Sequence, residues 1–482
     1  MAGIGFTLRR LFGRDTFIDR TRAYAFSALV AAGPWISAVV VVNLLVWAAE
    51  HLLISPAGRT LFMSTIVYAF VFSQLLTAPW QFIVTRYIAD KLFERDYDYL
   101  QASFHGISTV ATILAVVIAV AFFFRSPLPL HYKYLAGSLF LLLTHLWLVM
   151  AYLSAAKDYY AIARAFVYGG GLSLLLVILL VNYPVGFLEF SEASNLLLAY
   201  LIGIVVTYLI LLHTFYATFP YGNNRSYDFV RYLGKVPELF WVGLLYTLGI
   251  WIDTILVWHS DWGSIICGTF RFSLHYDHAK FLAYLTIIPA SVLFLVYVET
   301  QFYDKFKVYF QALREKKTLV EITEYKYDLA RLLYRHIVYL FERQAIISLT
   351  IIVLADQIFM ALGFSPALKD MFRVTTLAAL CNAMLLVVML VLLYFEARRD
   401  ALVSAATFFL VNLAATWVLL PYGPTYFGVS LFLAALCAFL VALRLLIAHL
   451  GDLTYRTFAR QPFFIVADKS LWARLAEHLN AR

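Results

Sequence analysis

The chain has 482 residues, 63% of them hydrophobic and only 14% charged, with a mean hydropathy of +0.81. Soluble domains carry roughly 25% charged residues, so most of this surface cannot face water and a soluble enzyme is excluded. The net charge of +8 fits basic loops beside a membrane rather than a nucleic-acid interface.

Residues 1–25 are polar and basic at their start. Ile4, Leu8, Leu11 and Phe12 recur at helical spacing with Arg9, Arg10 and Arg14 between them. That is the pattern of an interfacial amphipathic helix, although a plain basic topogenic tail fits as well. The apolar run near 26–48 is too long for the core of a cleaved signal and reads as a first, uncleaved span. A span takes ~20 apolar residues. Further runs lie near 62–84, 106–124, 134–154, 162–182 and 194–219, then 238–258, 279–299, 344–363, 373–395, 401–420 and 426–448. The predicted class is an all-α polytopic membrane protein of about twelve helices. They group as a bundle over 26–219, a linker over 220–237, a second bundle over 238–448 and a tail over 449–482.

With the N-terminus inside, inward segments hold 29 Lys and Arg and outward segments hold 6. This is the asymmetry of positive-inside sorting and places both termini in the cytoplasm. The longest inward segment, 300–343, carries two apolar stripes. One contains Phe302, Phe306, Tyr309, Phe310 and Leu313; the other contains Leu329, Leu332, Leu333, His336, Ile337 and Leu340. Two striped helices outside a membrane need cover. Either they cover each other, or Phe306, Phe310, Leu332, Leu333 and Leu340 dock a cytoplasmic partner. A third short helix is expected around Lys469–Asn480.

The two halves echo each other. Gly33-Pro34-Trp35-Ile36 matches Gly249-Ile250-Trp251-Ile252, and Pro79 followed by Tyr87 matches Pro289 followed by Tyr297, at offsets of 216 and 210 residues. Paired six-helix repeats are a common transporter plan. Pro34, Pro79 and Pro289 each remove a helical hydrogen bond, which makes them candidate hinges or plain packing bends.

Catalytic motifs are missing. There is no G-x-x-x-x-G-K-[ST], no H-E-x-x-H and no G-x-S-x-G, and Asp96-Tyr97-Asp98 has no nucleotide-binding domain around it. Cys267, Cys381 and Cys437 have neither disulfide nor metal spacing, and no cofactor is expected. Gly169–Gly171 reads as a close-packing notch between helices.

Polar groups within the spans are the informative ones, because a charge at the bilayer centre costs about 2.5–3.5 kcal/mol on insertion scales. Asp253 and Asp356 fall within predicted spans and are candidate lumen or protonation residues, unless each has a structural partner. His145 is a third candidate, and it and Asn382 are expected to bond across helices. Arg86 and Glu299 sit at matching inner ends of spans, a candidate entrance. Arg271, His275 and Asp277 form a candidate exit, or a solvated loop. Tyrosines deep in spans, such as Tyr68, Tyr168, Tyr208, Tyr246 and Tyr284, offer rings and hydroxyls suited to sugars and equally to packing.

Met-Ala-Gly-Ile-Gly-Phe-Thr-Leu-Arg-Arg-Leu-Phe at 1–12, followed by Ala-Gly-Pro-Trp at 32–35, resembles the opening of the Pel exopolysaccharide transporter family (PelG type). The resemblance implies the MOP flippase superfamily, with two six-helix bundles in a MATE-like V around a lumen. It implies a bacterial inner-membrane protein that passes an N-acetylhexosamine-rich polymer outward. The implied partners are the growing polysaccharide, a cytoplasmic glycosyltransferase using a UDP-sugar, a cyclic-di-GMP-binding membrane protein and a membrane scaffold protein. A cation-coupled drug exporter of the same fold is the alternative. It would want an acidic cluster in the first bundle, where no mid-span carboxylate is found.

Overall fold

A computed structural model describes residues 40–51, 54–156, 159–182, 192–220, 222, 225–361, 366–459 and 470–480. Pro34 and the amphipathic stretch over 1–25 lie outside them. Among the described residues, eleven helices are long and apolar enough to cross a membrane, and Val40–His51 is a shorter apolar helix. The protein is a predominantly helical, multi-pass membrane protein. The chain divides into two compact units, with a boundary between Thr247 and Leu248.

The first unit holds α1 (Val40–His51), α2 (Pro56–Glu94), α3 (Asp98–Phe123), α4 (Leu130–Ala156), α5 (Tyr159–Asn182), α6 (Glu192–Thr218) and the start of α7 (Pro237–Trp258). A hairpin of β1 (Ser264–Ile266) and β2 (Phe270–Phe272) also belongs to it. Proline opens α2 at its first turn, where no amide is needed, and Ser55 caps it by accepting from the Gly58 N–H at 3.3 Å. Helices α5 and α6 approach through the predicted glycine notch. A Cβ on Gly169 would sit 2.4 Å from the Gly203 carbonyl, and one on Gly203 would sit 2.4 Å from the Gly169 carbonyl. Only a missing side chain on both faces allows that spacing.

Polar side chains tie the remaining helices of this unit. Trp147 Nε1 donates to Ser73 Oγ at 3.0 Å, Thr65 and Tyr132 share a hydrogen bond at 2.7 Å, and Ser103 and Tyr152 share one at 2.9 Å. Each joins α4 to α2 or α3 where water is absent to compete.

The second unit holds the end of α7, α8 (Leu274–Leu285), α9 (Ile288–Tyr297), α10 (Tyr303–Arg314), α11 (Leu319–Val353), α12 (Ala355–Ala361), α13 (Pro366–Tyr394), α14 (Arg398–Leu419), α15 (Val429–Gly451) and α16 (Leu453–Ala459). Helix α13 is its core; most of its apolar length is buried, packed on α8 and α15. The expected terminal helix is present as α17 (Leu471–Asn480) and belongs to the first unit. There Asn480 Oδ1 accepts from the Tyr227 N–H at 2.9 Å and Glu477 meets Arg231 at 3.3 Å.

Two segments differ from expectation. The segment 300–343 does not end before a separate span. Its second stripe is the first part of α11, a single helix of 35 residues that begins at a capping box between Thr318 and Glu321. The predicted span over 344–363 therefore stops at Val353, and Asp356 falls in the short α12. Hydropathy alone joined 344–353 to 355–361, because it cannot see that Asp356 has salt-bridge partners. The hairpin 264–272 was not expected either. Its signal was the β-branched and aromatic run Ile265, Ile266, Phe270 and Phe272 around Cys267-Gly268, both of which take positive φ.

Candidate functional site

Asp253 lies in the second half of α7 and is 1% exposed. A lone carboxylate there would lack both water and a counter-charge, which is prohibitively costly. Its partner is Lys280 of α8, 4% exposed, whose Nζ lies 2.9 Å from both carboxylate oxygens. The same ammonium donates to Thr254 Oγ1 at 2.8 Å and to the Ile250 carbonyl at 2.5 Å. Residues 250, 253 and 254 share a face because three and four steps bring a helix full circle.

Neighbouring helices complete the set. Tyr276, one turn before Lys280 on α8, donates its hydroxyl to Asp253 Oδ2. Asn412 of α14 donates to the Gly249 carbonyl at 2.8 Å and to Asp253 Oδ1 at 3.3 Å. That reach depends on Gly249, where a Cβ would come 2.4 Å from Phe408 of the same helix. Thr416, one turn beyond Asn412, lies 3.2 Å from Asn412 Oδ1 and 2.8 Å from Ser430 Oγ of α15. A small cleft beside the network is lined by Asp253, Tyr276, Thr416, Tyr426 and Ser430.

The network thus joins α7, α8, α14 and α15 through one negative and one positive group. Buried pairs of this kind stabilise little when intact, but losing one partner costs about 3–5 kcal/mol because the other charge is stranded. Asp277 anchors the start of α8 nearby. Its Oδ2 accepts from Trp258 Nε1 at 2.8 Å and from the Ser273 N–H at 3.2 Å.

A second polar element repairs a broken helix. Helices α8 and α9 are separated at Thr286 and Ile287, just before Pro289. The interruption leaves backbone groups without helical partners. Gln344 of α11, fully buried, donates to the Thr286 carbonyl at 2.8 Å and accepts from the Ala290 N–H at 3.2 Å. Pro79, which the sequence echo pairs with Pro289, instead lies within an unbroken α2.

The remaining candidates are placed as follows. Asp356 is exposed in α12, outside the eleven long apolar helices, and pairs with Lys369 at 2.5 Å and Arg373 at 2.6 Å. Those two cations hold its carboxyl below the usual range, Lys369 first and Arg373 second. His145 bonds across helices, with Nε2 3.0 Å from Thr112 Oγ1, and Asn382 donates to the Tyr284 hydroxyl at 3.3 Å. Arg86 pairs with Asp90 at 3.3 Å within the first unit, whereas Glu299 lies in the helical turn Val298–Phe302 of the second. Arg271 belongs to β2, where its N–H donates to the Tyr68 hydroxyl at 3.0 Å. His275 is exposed in α8, the helix that also carries Asp277.

The stripes of 300–343 cover each other. Helix α10 packs on α11, and Lys305 bonds Asp328 at 3.0 Å between them. Leu333 and Leu340 are buried and Leu332 is half-buried. Phe306 and Phe310 are half-buried, their rings 4.5 Å apart, and Phe306 lies 5.7 Å from Phe395. These side chains pack between α10 and α11 and against the end of α13, leaving Tyr327 and Tyr334 exposed.

Sequence reading found Asp253 but not its partner, nor Tyr276, Asn412 or Gln344. The signal for Lys280 was present: a lysine inside an apolar span demands a counter-charge. Nothing in the linear pattern said which of the available carboxylates would supply it.

The family model described as "PelG: Putative exopolysaccharide Exporter (EPS-E)" matches residues 1–458. No curated protein matches. Among solved structures, the chain is similar to an outward-facing multidrug resistance MATE family transporter of the MOP superfamily, with a TM-score of 0.63 at 14% identity over 90% of this chain and 96% of that one. It is also similar to a mutant of the Vibrio cholerae MATE transporter VcmN, with a TM-score of 0.61 at 13% identity over 93% and 98%. A MOP superfamily transporter from Pyrococcus furiosus follows, with a TM-score of 0.57 at 14% identity over 89% and 96%. At such identities the likeness is one of fold.

Proposed function

Since the chain belongs to the PelG exopolysaccharide exporter family and has the fold of MATE-type transporters, we propose that it carries an N-acetylhexosamine-rich exopolysaccharide of the Pel type from cytoplasm to periplasm. The bacterial inner membrane is its site, and both termini face the cytoplasm, a reading supported by the excess of Lys and Arg in the inward segments. The family match over residues 1–458 is the observation that carries the proposal.

The polymer enters from a cytoplasmic glycosyltransferase using a UDP-sugar, with a cyclic-di-GMP-binding membrane protein and a membrane scaffold protein in the same assembly. Chain growth pushes the polymer through. The exposed tyrosines of α10–α11, rather than its buried stripes, are the docking surface for the glycosyltransferase. The cation-coupled drug exporter is the weaker reading, because Asp253, a carboxylate within a spanning helix, is already neutralised by Lys280.

The test is deletion of the chain in a cell that secretes such a polymer. Secreted N-acetylhexosamine polymer should vanish while drug susceptibility stays unchanged. Continued secretion with raised drug sensitivity would move the assignment to the drug exporter.

A further inference from the structure

Lys280 is held as a free cation would be. Four oxygens lie 2.5–2.9 Å from its Nζ: both carboxylate oxygens of Asp253, Oγ1 of Thr254 and the carbonyl oxygen of Ile250. An ammonium has three N–H donors, so the oxygens at contact distance outnumber its hydrogen bonds. All four are hard oxygen donors of the kind that bind hard metal cations. Sulfur and imidazole are absent from the set.

The cradle is supported by a group besides the lysine. Its oxygens come from one turn of α7, and Asn412 fixes that turn from α14 by bonding Gly249 and Asp253. The ring faces of Trp251 and Tyr276 lie 5.3 and 5.9 Å from the ammonium, a further attraction for a positive charge. With a single carboxylate, the cradle is neutral when it holds a charge of +1.

We propose that the side chain of Lys280 is a tethered substitute for a bound monovalent metal ion such as sodium, filling an oxygen cradle made by Ile250, Asp253 and Thr254. Covalent attachment keeps the cradle occupied, so transport draws nothing from a sodium gradient at this site. This deepens the export reading, in which polymer growth rather than an ion gradient supplies the drive.

The test uses the purified full-length chain in nanodiscs, unfolded by heat in sodium chloride and in choline chloride at equal ionic strength. Wild-type protein should melt at the same temperature in both. Lys280→Ala should melt lower in choline chloride and recover saturably with sodium, as a ligand that binds only the folded state requires. The double variant Lys280→Ala/Asp253→Asn should not respond to sodium. A saturable sodium response in the wild type equal to that of Lys280→Ala overturns the proposal, as does a folded Lys280→Ala that ignores sodium.

If Lys280→Ala cannot be purified, Lys280→Ser carries the same comparison. Secretion by wild-type cells in sodium-free medium needs no variant; it should be unchanged, and its loss overturns the proposal. The melting experiment is indifferent to the cargo, so a wrong cradle and a wrong cargo give distinguishable failures.

Discussion

Gln344 bridges Thr286 and the helix that restarts after it: its amide donates to the Thr286 carbonyl at 2.8 Å while its oxygen accepts from the Ala290 N–H at 3.2 Å. One side chain therefore replaces the backbone bonding that the break between α8 and α9 interrupts. Gln344→Leu should strand both groups at a cost of about 1–3 kcal/mol each. The expected result is a lower melting temperature in nanodiscs, with Gln344→Glu, which keeps only the acceptor, falling between.

The Asp253–Lys280 pair is a cooperative unit. Asp253→Asn and Lys280→Ala should each destabilise by about 3–5 kcal/mol. Replacing both by apolar residues, as in Asp253→Leu/Lys280→Met, should recover most of that loss because no charge is stranded. A double-mutant cycle from thermal or denaturant unfolding measures the coupling, and additive single effects would refute the pairing.

Gly169 and Gly203 set the spacing of α5 and α6. Gly203→Val places methyl groups against the Gly169 carbonyl and should cost about 1–3 kcal/mol through overpacking. Gly171, one helical face away, has nothing within 4 Å of an added Cβ. Gly171→Ala should leave the melting temperature unchanged or raise it, so the two variants measured side by side separate packing from helix propensity.

Asp356 behaves as a surface ion-pair residue. Its folded carboxyl titrates below the usual range, so any contribution to stability is present above the ordinary carboxylate pKa and fades as pH falls through the lowered one. Asp356→Asn should therefore lower the melting temperature at neutral pH only slightly, as loss of an exposed ion pair does, and leave polymer secretion unchanged. Loss of secretion by a well-folded Asp356→Asn would return this residue to the transport path.

Docking on α10–α11 is testable without disturbing the segment's core. Tyr327→Glu and Tyr334→Glu, both on exposed positions, should reduce co-purification of the glycosyltransferase and leave the chain's own melting temperature intact. Undiminished co-purification would remove this surface from the assembly.

Much of this molecule was legible in one dimension. Apolar runs of spanning length identify membrane helices because a bilayer leaves backbone groups no partner but each other. The glycines at 169–171 announced close packing, the tail helix near 469–480 was found within two residues, and Asp253 stood out as a charge where none is cheap. What sequence could not supply was pairing. Lys280 lies 27 positions from Asp253, Gln344 lies 54 from Ala290, and Asn412 lies 159 from Asp253. Hydropathy sums local transfer energies, whereas a buried polar group is decided by which distant partner the packing of helices delivers. For the same reason neither the pairing of Asp356 with Lys369 and Arg373 nor the choice between mutual cover and an external partner for the 300–343 stripes could be read from local pattern. Composition and periodicity determined that this chain spans a membrane many times; only the tertiary structure decided which of its charges are neutralised inside.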